Sequence, residues 1–301
     1  MTHLEELVSL GFLVGEDARE SIEKLNKKDF EKAVKHFKEE KPFIITKEMI
    51  EIVLAKEIEM VKQFETKDVF TVQDYVEALN KRYGFLQDLL VKKVELKNIV
   101  SISKVSSGNV SVIGMVKDIV EKSGGRTVVL EDPTGYIDVV MDRKLVDRLV
   151  LDDVIAVFGL AKNKTLFAEK MLFPSIPLRP VNLSEKSIKV AFTDKKVDAD
   201  YIVSKKNIQD MIKKKKYDIS SPCIFKIGDI TILVLVKAKS LEVLNKRYFN
   251  NDRIDFLIEP APDIIFTDED VNMSYKGISI VPKDNIIDLK TRKVEKIGQV
   301  K

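Results

Sequence analysis

The side chains that most often carry catalysis or bind metals are scarce in this 301-residue chain. It has two histidines, His3 and His36, and one cysteine, Cys223. A single cysteine excludes an internal disulfide framework and a zinc site built from several cysteines. Cys223 follows Pro222 at a predicted strand entrance with no histidine near it in the sequence, so we expect a small core residue rather than a nucleophile. His36 falls in the middle of a predicted helix, which favours a structural or solvated role.

Two charged clusters are the other candidates for local chemistry. The acidic run Asp268–Asp270 can coordinate a cation, but we favour a solvated acidic turn. The four lysines at Lys213–Lys216 can contact a phosphate backbone and release counterions. They can equally end an exposed helix in accord with its dipole, and we favour this second interpretation.

The composition limits the function classes. The 51 basic and 48 acidic residues nearly balance, so no global charge attracts nucleic acid, and any contact with DNA must be local. The chain has no apolar run of membrane-spanning length, and its first residues lack a basic segment followed by an apolar one. We therefore expect a soluble cytoplasmic protein without a membrane partner, with room for two or three domains.

The first part of the chain has helical periodicity. Apolar residues recur at spacings of three and four, which predicts an N-terminal helical domain over residues 1–63, with Asp29 as a candidate cap. Residues 64–97 are expected to hold a linker and then a helix. Thr71 is the predicted N-cap of that helix, and Asp74 completes a capping box.

From Val110 the apolar period changes to two, which predicts strands. In "VVLEDPTGYIDVVMD", Pro133 and Gly135 suit positions i+1 and i+3 of a type I turn between two strands. A short helix is predicted at 144–150, and two further strands at 154–160 and 166–172. Three strands, a helix and two strands are typical of the OB-fold, a five-stranded barrel, which we place at residues 98–180.

OB-folds bind single-stranded nucleic acid through aromatic side chains in a basic groove. The predicted strands offer only Tyr136, Phe158 and Phe167 as aromatic residues. The candidate nucleic-acid-binding residues are Lys117, Lys122, Arg126, Lys162 and Lys164. Acidic residues partly match these charges, so we favour a solvated surface and a barrel that acts mainly as a structural support.

The segment after the barrel, "FPSIPLRP", has prolines at every third position, which favours an extended connector. Its candidate interface residues are Phe173, Ile176, Leu178 and Arg179. They can contact a partner, or they can hold the barrel to the next domain, and both interpretations stay open.

The last 120 residues contain short apolar runs that are typical of buried strands, at 224–227, 230–236, 264–266 and 278–281. Helices are predicted at 208–216 and 241–248. A reduced α/β domain over residues 181–301 fits this pattern.

Two long segments together resemble a known family. The run "VSVIGMVKD…TVVLEDPTGYIDVVMD…VIAVFGLAKNKTLFAEKMLFPSIPLRP" is similar to the OB-fold of the small subunit of archaeal family D DNA polymerase. The run "GFLVGEDARESIEKLNKKDFEKAVKHFKEEKPFIITKEMIEIVL" is similar to the helical head of that family. The resemblance implies a multi-domain α+β protein with a helical domain, an OB-fold barrel and a truncated α/β domain of the calcineurin-like phosphoesterase type.

The sequence departs from this family where the family binds metal. Two metal ions in such a domain activate water, and the ligands are aspartate, asparagine and histidine. No histidine lies between Pro180 and Lys301. Asp194 matches the first family aspartate, but Lys196 replaces the histidine. Asp229 is a candidate for the second motif in one of two possible alignments, and Asp268 stands where the last motif belongs. We expect these four vestigial positions to bind no metal and to catalyse nothing.

The resemblance therefore implies a non-catalytic accessory small subunit of a replicative, family D-like polymerase, without a cofactor and with its exonuclease activity lost. Its expected partner is the large catalytic subunit, and it meets DNA through that complex. One alternative is a free-standing OB-fold protein that binds single-stranded nucleic acid. Another is a metal-dependent 3′–5′ exonuclease with a rebuilt site.

Overall fold

The computed structural model describes residues 2–54, 58–64, 71–122, 125–251 and 254–298. It shows a multi-domain α+β protein in which a helical head is followed by a long helix, a closed barrel and a C-terminal pair of sheets. Residues 65–70, which make up most of the predicted linker, lie outside the described residues.

The head consists of short helices around an apolar core. Its elements are α1 (His3–Ser9), β1 (Leu13–Val14), α2 (Glu16–Glu23), α3 (Lys27–Glu40), β2 (Ile44–Ile45) and α4 (Lys47–Leu54). Local caps define the helix starts: Thr2 and Glu5 form a capping box at α1. Asn26, rather than the predicted Asp29, is the N-cap of α3, because its side chain accepts the backbone N–H of Asp29.

Two elements connect the head to the barrel. Strand β3 (Ile58–Gln63), which we expected inside the helical domain, pairs instead with a strand of the C-terminal sheets, because its apolar residues pack there. Helix α5 (Val72–Val91) begins at Thr71, whose capping box with Asp74 is confirmed. The inner face of α5 is buried at Tyr83, Leu86 and Leu90.

The barrel has the predicted succession of three strands, a helix and two strands. Its elements are β4 (Gly108–Lys122), β5 (Gly125–Asp132), β6 (Gly135–Val140), α6 (Arg143–Val146), β7 (Val154–Lys162) and β8 (Thr165–Leu172). The strands close in the order β4-β5-β6-β8-β7, and β4 pairs with β7. Alternate residues of β5 and β6 point inward, as the period of two predicted, and Val128, Leu130 and Val139 are fully buried.

The turn between β5 and β6 is fixed by one side chain. The carboxylate of Asp132 accepts hydrogen bonds from the backbone N–H groups of Thr134 and Gly135 and from the Thr134 hydroxyl. Its second oxygen accepts the N–H of Ile102, so the turn also anchors the chain that enters the barrel.

The C-terminal residues, together with β3, form two six-stranded sheets within the described part of the chain. The first sheet has the order β12-β11-β10-β9-β20-β21, and the second has the order β18-β19-β17-β14-β13-β3. The strands are β9 (Lys189–Phe192), β10 (Tyr201–Val203), β11 (Asn207–Asp210), β12 (Lys215–Asp218), β13 (Cys223–Ile227), β14 (Ile230–Leu235), β17 (Ile264–Thr267), β18 (Met273–Tyr275), β19 (Ile278–Pro282), β20 (Asn285–Asp288) and β21 (Val294–Lys296).

The two sheets face each other across one apolar core, in which the rings of Phe192 and Phe266 stack 5.2 Å apart. The outer face of the second sheet is covered by α7 (Ser240–Lys246) and by the hairpin of β15 (Tyr248–Asn251) and β16 (Ile254–Leu257). Strands β14, β17 and β19 are parallel, and so are β9 and β10. The predicted buried strands of this region are confirmed.

The predicted helix at 208–216 is wrong. This segment is the antiparallel hairpin of β11 and β12, in which Ile208 and Asp210 are buried and Gln209 is exposed. The lysine run therefore lies on a turn and an edge strand, and Lys214 has a positive φ of 53°. The interpretation of these lysines as the end of a helix no longer applies.

Candidate functional site

Two of the vestigial aspartates lie at one edge of the C-terminal sheets. Asp194 follows the end of β9 in the first sheet, and Asp268 follows the end of β17 in the second. The ammonium of Lys205, which follows β10, lies 3.4 Å from the carboxylate of Asp268 and links the two sheets. We call this region the carboxyl edge and define it by residues 194–196, 205–206, 237, 268–269 and 283–284.

Lysine side chains pair with the carboxylates of the carboxyl edge. Lys283 donates a hydrogen bond to Asp194, and this bond raises the pKa of Lys283. Lys195 lies 3.2 Å from Asp284. The pKa of Asp284 is lowered, first because the hydroxyl of Thr193 donates to it and then because Lys195 does. Both shifts mean that the charged forms are stabilised at neutral pH.

The acidic run at 268–270 has an internal role that the sequence did not reveal. Asp268 accepts the backbone N–H of Lys237 at 2.9 Å, and Glu269 accepts the backbone N–H of Ser240 at 2.7 Å. These two bonds hold the loop between β14 and α7, where Lys237 has a positive φ of 60°. The carboxylates thus position backbone as well as pairing with lysine.

The other two vestigial positions do not complete a site. Lys196 is exposed after β9. Asp229 lies in the turn between β13 and β14, at the opposite end of β14 from the carboxyl edge, beside a cavity of about 590 Å³ that Arg179 and Asp263 also line. Among the described residues, no group of three or more His, Cys, Asp or Glu side chains is placed to hold a metal ion.

Two of the predicted basic residues of the barrel are paired with carboxylates. Lys117 lies 2.8 Å from Glu131, and Arg126 lies 2.5 Å from Asp147. The Lys117 ammonium is also 5.8 Å from the centre of the Tyr136 ring. These charges are partly neutralised by the barrel itself.

The remaining basic residues lie near the turn between β7 and β8. Lys162 and Lys164 are exposed, and Asn163 and Lys164 have φ values of 52° and 59°, as in a two-residue hairpin turn. The side chain of Lys122 lies outside the described part of the chain. Tyr136 and Phe167 are exposed on the outer surface of β6 and β8, so the barrel does present aromatic rings near these lysines.

The connector after the barrel contacts the chain itself at three of its four candidate positions. Phe173 packs on the barrel with the guanidinium of Arg148 5.2 Å from its ring centre, and Ile176 is buried in the core under α7. Arg179 forms an ion pair with Asp263 at 3.1 Å. Leu178 is 83% exposed. Three of these positions favour the interdomain interpretation, and Leu178 is available to a partner.

A buried polar cluster joins α5, the barrel and the C-terminal hairpin. Arg82 is 1% exposed, and its guanidinium binds the carboxylate of Asp255 at 3.0 Å and the carbonyl of Asp152 at 3.2 Å. It also lies 4.3 Å from the centre of the Tyr248 ring. We call this cluster the junction.

Arg82 lies three residues after Leu79 and four before Leu86, inside the apolar stripe of α5. A charged residue at such a position was a signal in the sequence that this side chain is buried.

The second half of the junction surrounds Asp153. Its carboxylate is fully buried, accepts a hydrogen bond from the Tyr248 hydroxyl at 2.6 Å and lies 3.0 Å from the Lys246 ammonium. Burial, and then the charge of Asp153, raises the pKa of Tyr248, so this hydroxyl keeps the proton that it donates. The junction thereby fixes the barrel against the C-terminal sheets.

None of the helices in the described residues is both long and apolar enough to cross a bilayer. No known family model matches the sequence. Among solved structures, OBody AM1L10 bound to hen egg-white lysozyme is similar over 26% of this chain and 95% of its own, at 16% identity and a TM-score of 0.24. Replication Protein A heterotrimer bound to ssDNA is similar over 23% of this chain and 59% of its own, at 20% identity and a TM-score of 0.19. Scores of this size do not establish a shared fold.

Two curated proteins are similar in sequence. The DNA polymerase II small subunit of Methanothermobacter thermautotrophicus is 35% identical over 130 residues, and that of Archaeoglobus fulgidus is 32% identical over 124 residues. Each alignment covers 40% of this chain but only 27% and 25% of the respective relative. The resemblance to an archaeal DNA polymerase small subunit is thus confirmed, and over about two fifths of its length this chain is a sequence relative of the small subunits of archaeal DNA polymerase II.

Proposed function

We propose that this chain is a non-catalytic accessory small subunit of an archaeal replicative DNA polymerase of the family D type. It binds and stabilises the large catalytic subunit in the cytoplasm, and it meets DNA through that complex. The sequence relation to two polymerase small subunits supports the assignment of this role.

The domain proposals follow from the architecture. A closed five-stranded barrel with a helix between its third and fourth strands supports an OB-fold at residues 98–180. Two sheets with parallel central strands support a degenerate phosphoesterase domain at residues 181–301. Strand β3 extends that domain by one strand from the N-terminal side, so the head proper ends at α4.

The observation that carries the non-catalytic role is the pairing at the carboxyl edge. Metal-dependent hydrolysis needs carboxylates that are free to bind cations and, in this family's pattern, imidazoles beside them. Here Asp194 is paired with Lys283, and Asp268 with Lys205. An ammonium group cannot ligate a metal, and it repels a cation from the position that it occupies.

Co-expression with the large polymerase subunit of the same genome tests this function. We expect the two full-length chains to co-purify through an affinity tag on either one and to elute together from a sizing column in 0.3 M salt, which weakens adventitious charge contacts. Separate elution in both tag arrangements contradicts the proposal.

A second candidate function is direct binding of single-stranded nucleic acid by the barrel. Tyr136 and Phe167 are exposed near Lys162 and Lys164, and base stacking on aromatic rings contributes about 1–3 kcal/mol per base. Fluorescence anisotropy with a labelled oligo-dT tests it. Salt-sensitive binding by the chain alone that weakens roughly tenfold or more in the Tyr136→Ala, Phe167→Ala double variant supports this candidate.

A further inference from the structure

Helix α5 has an apolar stripe that is covered at one end only. Its C-terminal half packs on the barrel through Tyr83, Leu86 and Leu90. Its N-terminal half continues the same spacing of three and four with Val72, Tyr75 and Val76, which remain exposed. The stripe therefore extends beyond the surface that buries it.

A loop of the barrel enlarges this exposed stripe. Val150 and Leu151 are exposed just before β7, and the next residue, Asp152, accepts a hydrogen bond from the Tyr75 hydroxyl at 3.1 Å. We call Val72, Tyr75, Val76, Val150 and Leu151 the α5 patch. Its members are between 45% and 82% exposed, and the Tyr75–Asp152 hydrogen bond brings the helix and the loop together, so their exposed apolar side chains can serve one interaction site.

A groove continues the α5 patch toward the C-terminal sheets. It has a volume of about 280 Å³ and begins at Leu151. Its apolar lining includes Val243 and Phe249, and Lys237 and Lys239 are exposed on its wall. The third lysine of the groove, Lys246, is already paired with Asp153 and Glu242. The groove thus combines a few apolar side chains with two lysines that have no carboxylate partner among the described residues.

We propose that the α5 patch and this groove bind an amphipathic helix of the partner protein, with an apolar stripe on the patch and acidic residues facing Lys237 and Lys239. The patch itself lies on a helix and a loop, and its apolar side chains can receive the apolar stripe of an amphipathic helix, as in helix-in-groove binding. Because Lys237 and Lys239 are positively charged, charge complementarity predicts acidic residues on the side of the bound helix that faces them. The inference rests on the proposed function, which makes the large polymerase subunit the partner.

The test measures binding of the full chain to the immobilised large subunit. The first variant is the Val72→Asp, Leu151→Asp double substitution. Both positions are exposed, and an acidic residue in the first turn of α5 is compatible with its dipole, so folding is retained. We expect binding to weaken by about tenfold or more, because buried apolar anchors carry most of an interface's energy.

The second variant, Lys237→Glu with Lys239→Glu, tests the charge. We expect weaker binding, with a difference from wild type that shrinks as salt rises. The matched control is Val94→Asp, since Val94 is 90% exposed and lies outside the patch and the groove. This control should bind like wild type.

The outcomes separate the two proposals. If wild type and Val94→Asp bind while both variants bind more weakly, the helix site is supported. If the Val72→Asp, Leu151→Asp variant is folded by circular dichroism and binds like wild type, the site is overturned but the accessory function stands. If wild type itself does not bind, the accessory function fails. Concentration-dependent dimerisation of the chain that only the patch variant loses would assign the surface to a second copy and overturn the proposal.

Discussion

The junction and the carboxyl edge are both clusters of lysine or arginine with aspartate, but they lie in different environments. At the junction, Arg82 and Asp153 are almost completely buried, and every pairing joins two parts of the protein. At the carboxyl edge, Lys195 and Lys283 keep 62% and 37% of their side-chain surface in solvent. Ion pairs of the same chemical type should therefore contribute differently to the free energy of unfolding in the two clusters.

This difference indicates what each cluster does. A buried ion pair that loses one partner leaves an unpaired charge in a medium of low dielectric, which is costly. An exposed pair is screened by water and contributes little to stability. We infer that the junction determines how the barrel sits on the C-terminal sheets. For the carboxyl edge we propose a different consequence: its lysines place positive charge beside the two aspartates that correspond to metal ligands in the family pattern.

The largest predicted effect is at the junction. Arg82→Met should destabilise the protein by about 3–5 kcal/mol, because Asp255, whose side chain is only 13% exposed, then loses its partner. Chemical denaturation measures this change. The Arg82→Met, Asp255→Leu double variant is the control, since it removes both charges, and it should recover part of the loss. If the single variant unfolds at the wild-type midpoint, the junction is not the structural link that we infer.

The next effect concerns the contact between the connector and the turn from β18 to β19. Gly277 has a φ of 84°, and a Cβ built on it overlaps the carbonyl oxygen of Arg179. Gly277→Ala should cost about 2–3 kcal/mol, from the unfavourable φ together with this clash. Gly298 has a φ of 92° with open space around it, so Gly298→Ala isolates the backbone contribution and should cost about 1 kcal/mol. If the two variants lose the same free energy in thermal or chemical unfolding, the connector can shift away from the added methyl group at little cost.

Much of the secondary structure could be predicted from the sequence. The strands of the barrel were predictable because one face of each strand is buried, which imposes a period of two on its residues. The buried strands of the C-terminal sheets were predictable from their apolar runs. The helix predicted at 208–216 failed because alternation over only four residues, from Asn207 to Asp210, was hidden by the lysines that follow.

The two charged clusters were not predictable in the same way. Asp194 and Lys283 are 89 residues apart, and Arg82 and Asp255 are 173 residues apart, so only the fold brings them together. The resemblance to a known family located Asp194 and Asp268 but gave no indication of the lysines that pair with them. The position of Arg82 inside an apolar helical stripe was the one local signal of a buried charge.

A smaller effect is predicted at the carboxyl edge. Lys283→Ala should change the free energy of unfolding by less than about 1 kcal/mol, because its ion pair with Asp194 is exposed. The contrast with Arg82→Met under identical denaturation conditions is the direct comparison of the two clusters. A loss of several kcal/mol at Lys283 would mean that the edge, like the junction, is structural.

The smallest effect is a pH dependence at Asp284. Its pKa is lowered in the folded protein, so its contribution to stability is present above the unfolded value of about 4 and is lost as the pH falls through the folded pKa. Asp284→Asn removes this contribution and tolerates the positive φ of 60°. The difference in unfolding free energy between wild type and Asp284→Asn should be constant from pH 8 to 5 and shrink below about pH 4. If this difference instead grows as the pH falls, the prediction is contradicted.

The central claim is that the paired carboxylates of the carboxyl edge do not support hydrolysis. The most direct measurement is cleavage of 3′-labelled single-stranded DNA by the purified chain in the presence of manganese, with Asp194→Ala prepared in parallel. We predict that both proteins leave the DNA intact, because Lys283 and Lys205 place positive charge beside Asp194 and Asp268, and the sequence from 181 to 301 has no histidine to complete a metal site. Manganese-dependent cleavage by wild type that Asp194→Ala abolishes would show a working metal site and contradict the account.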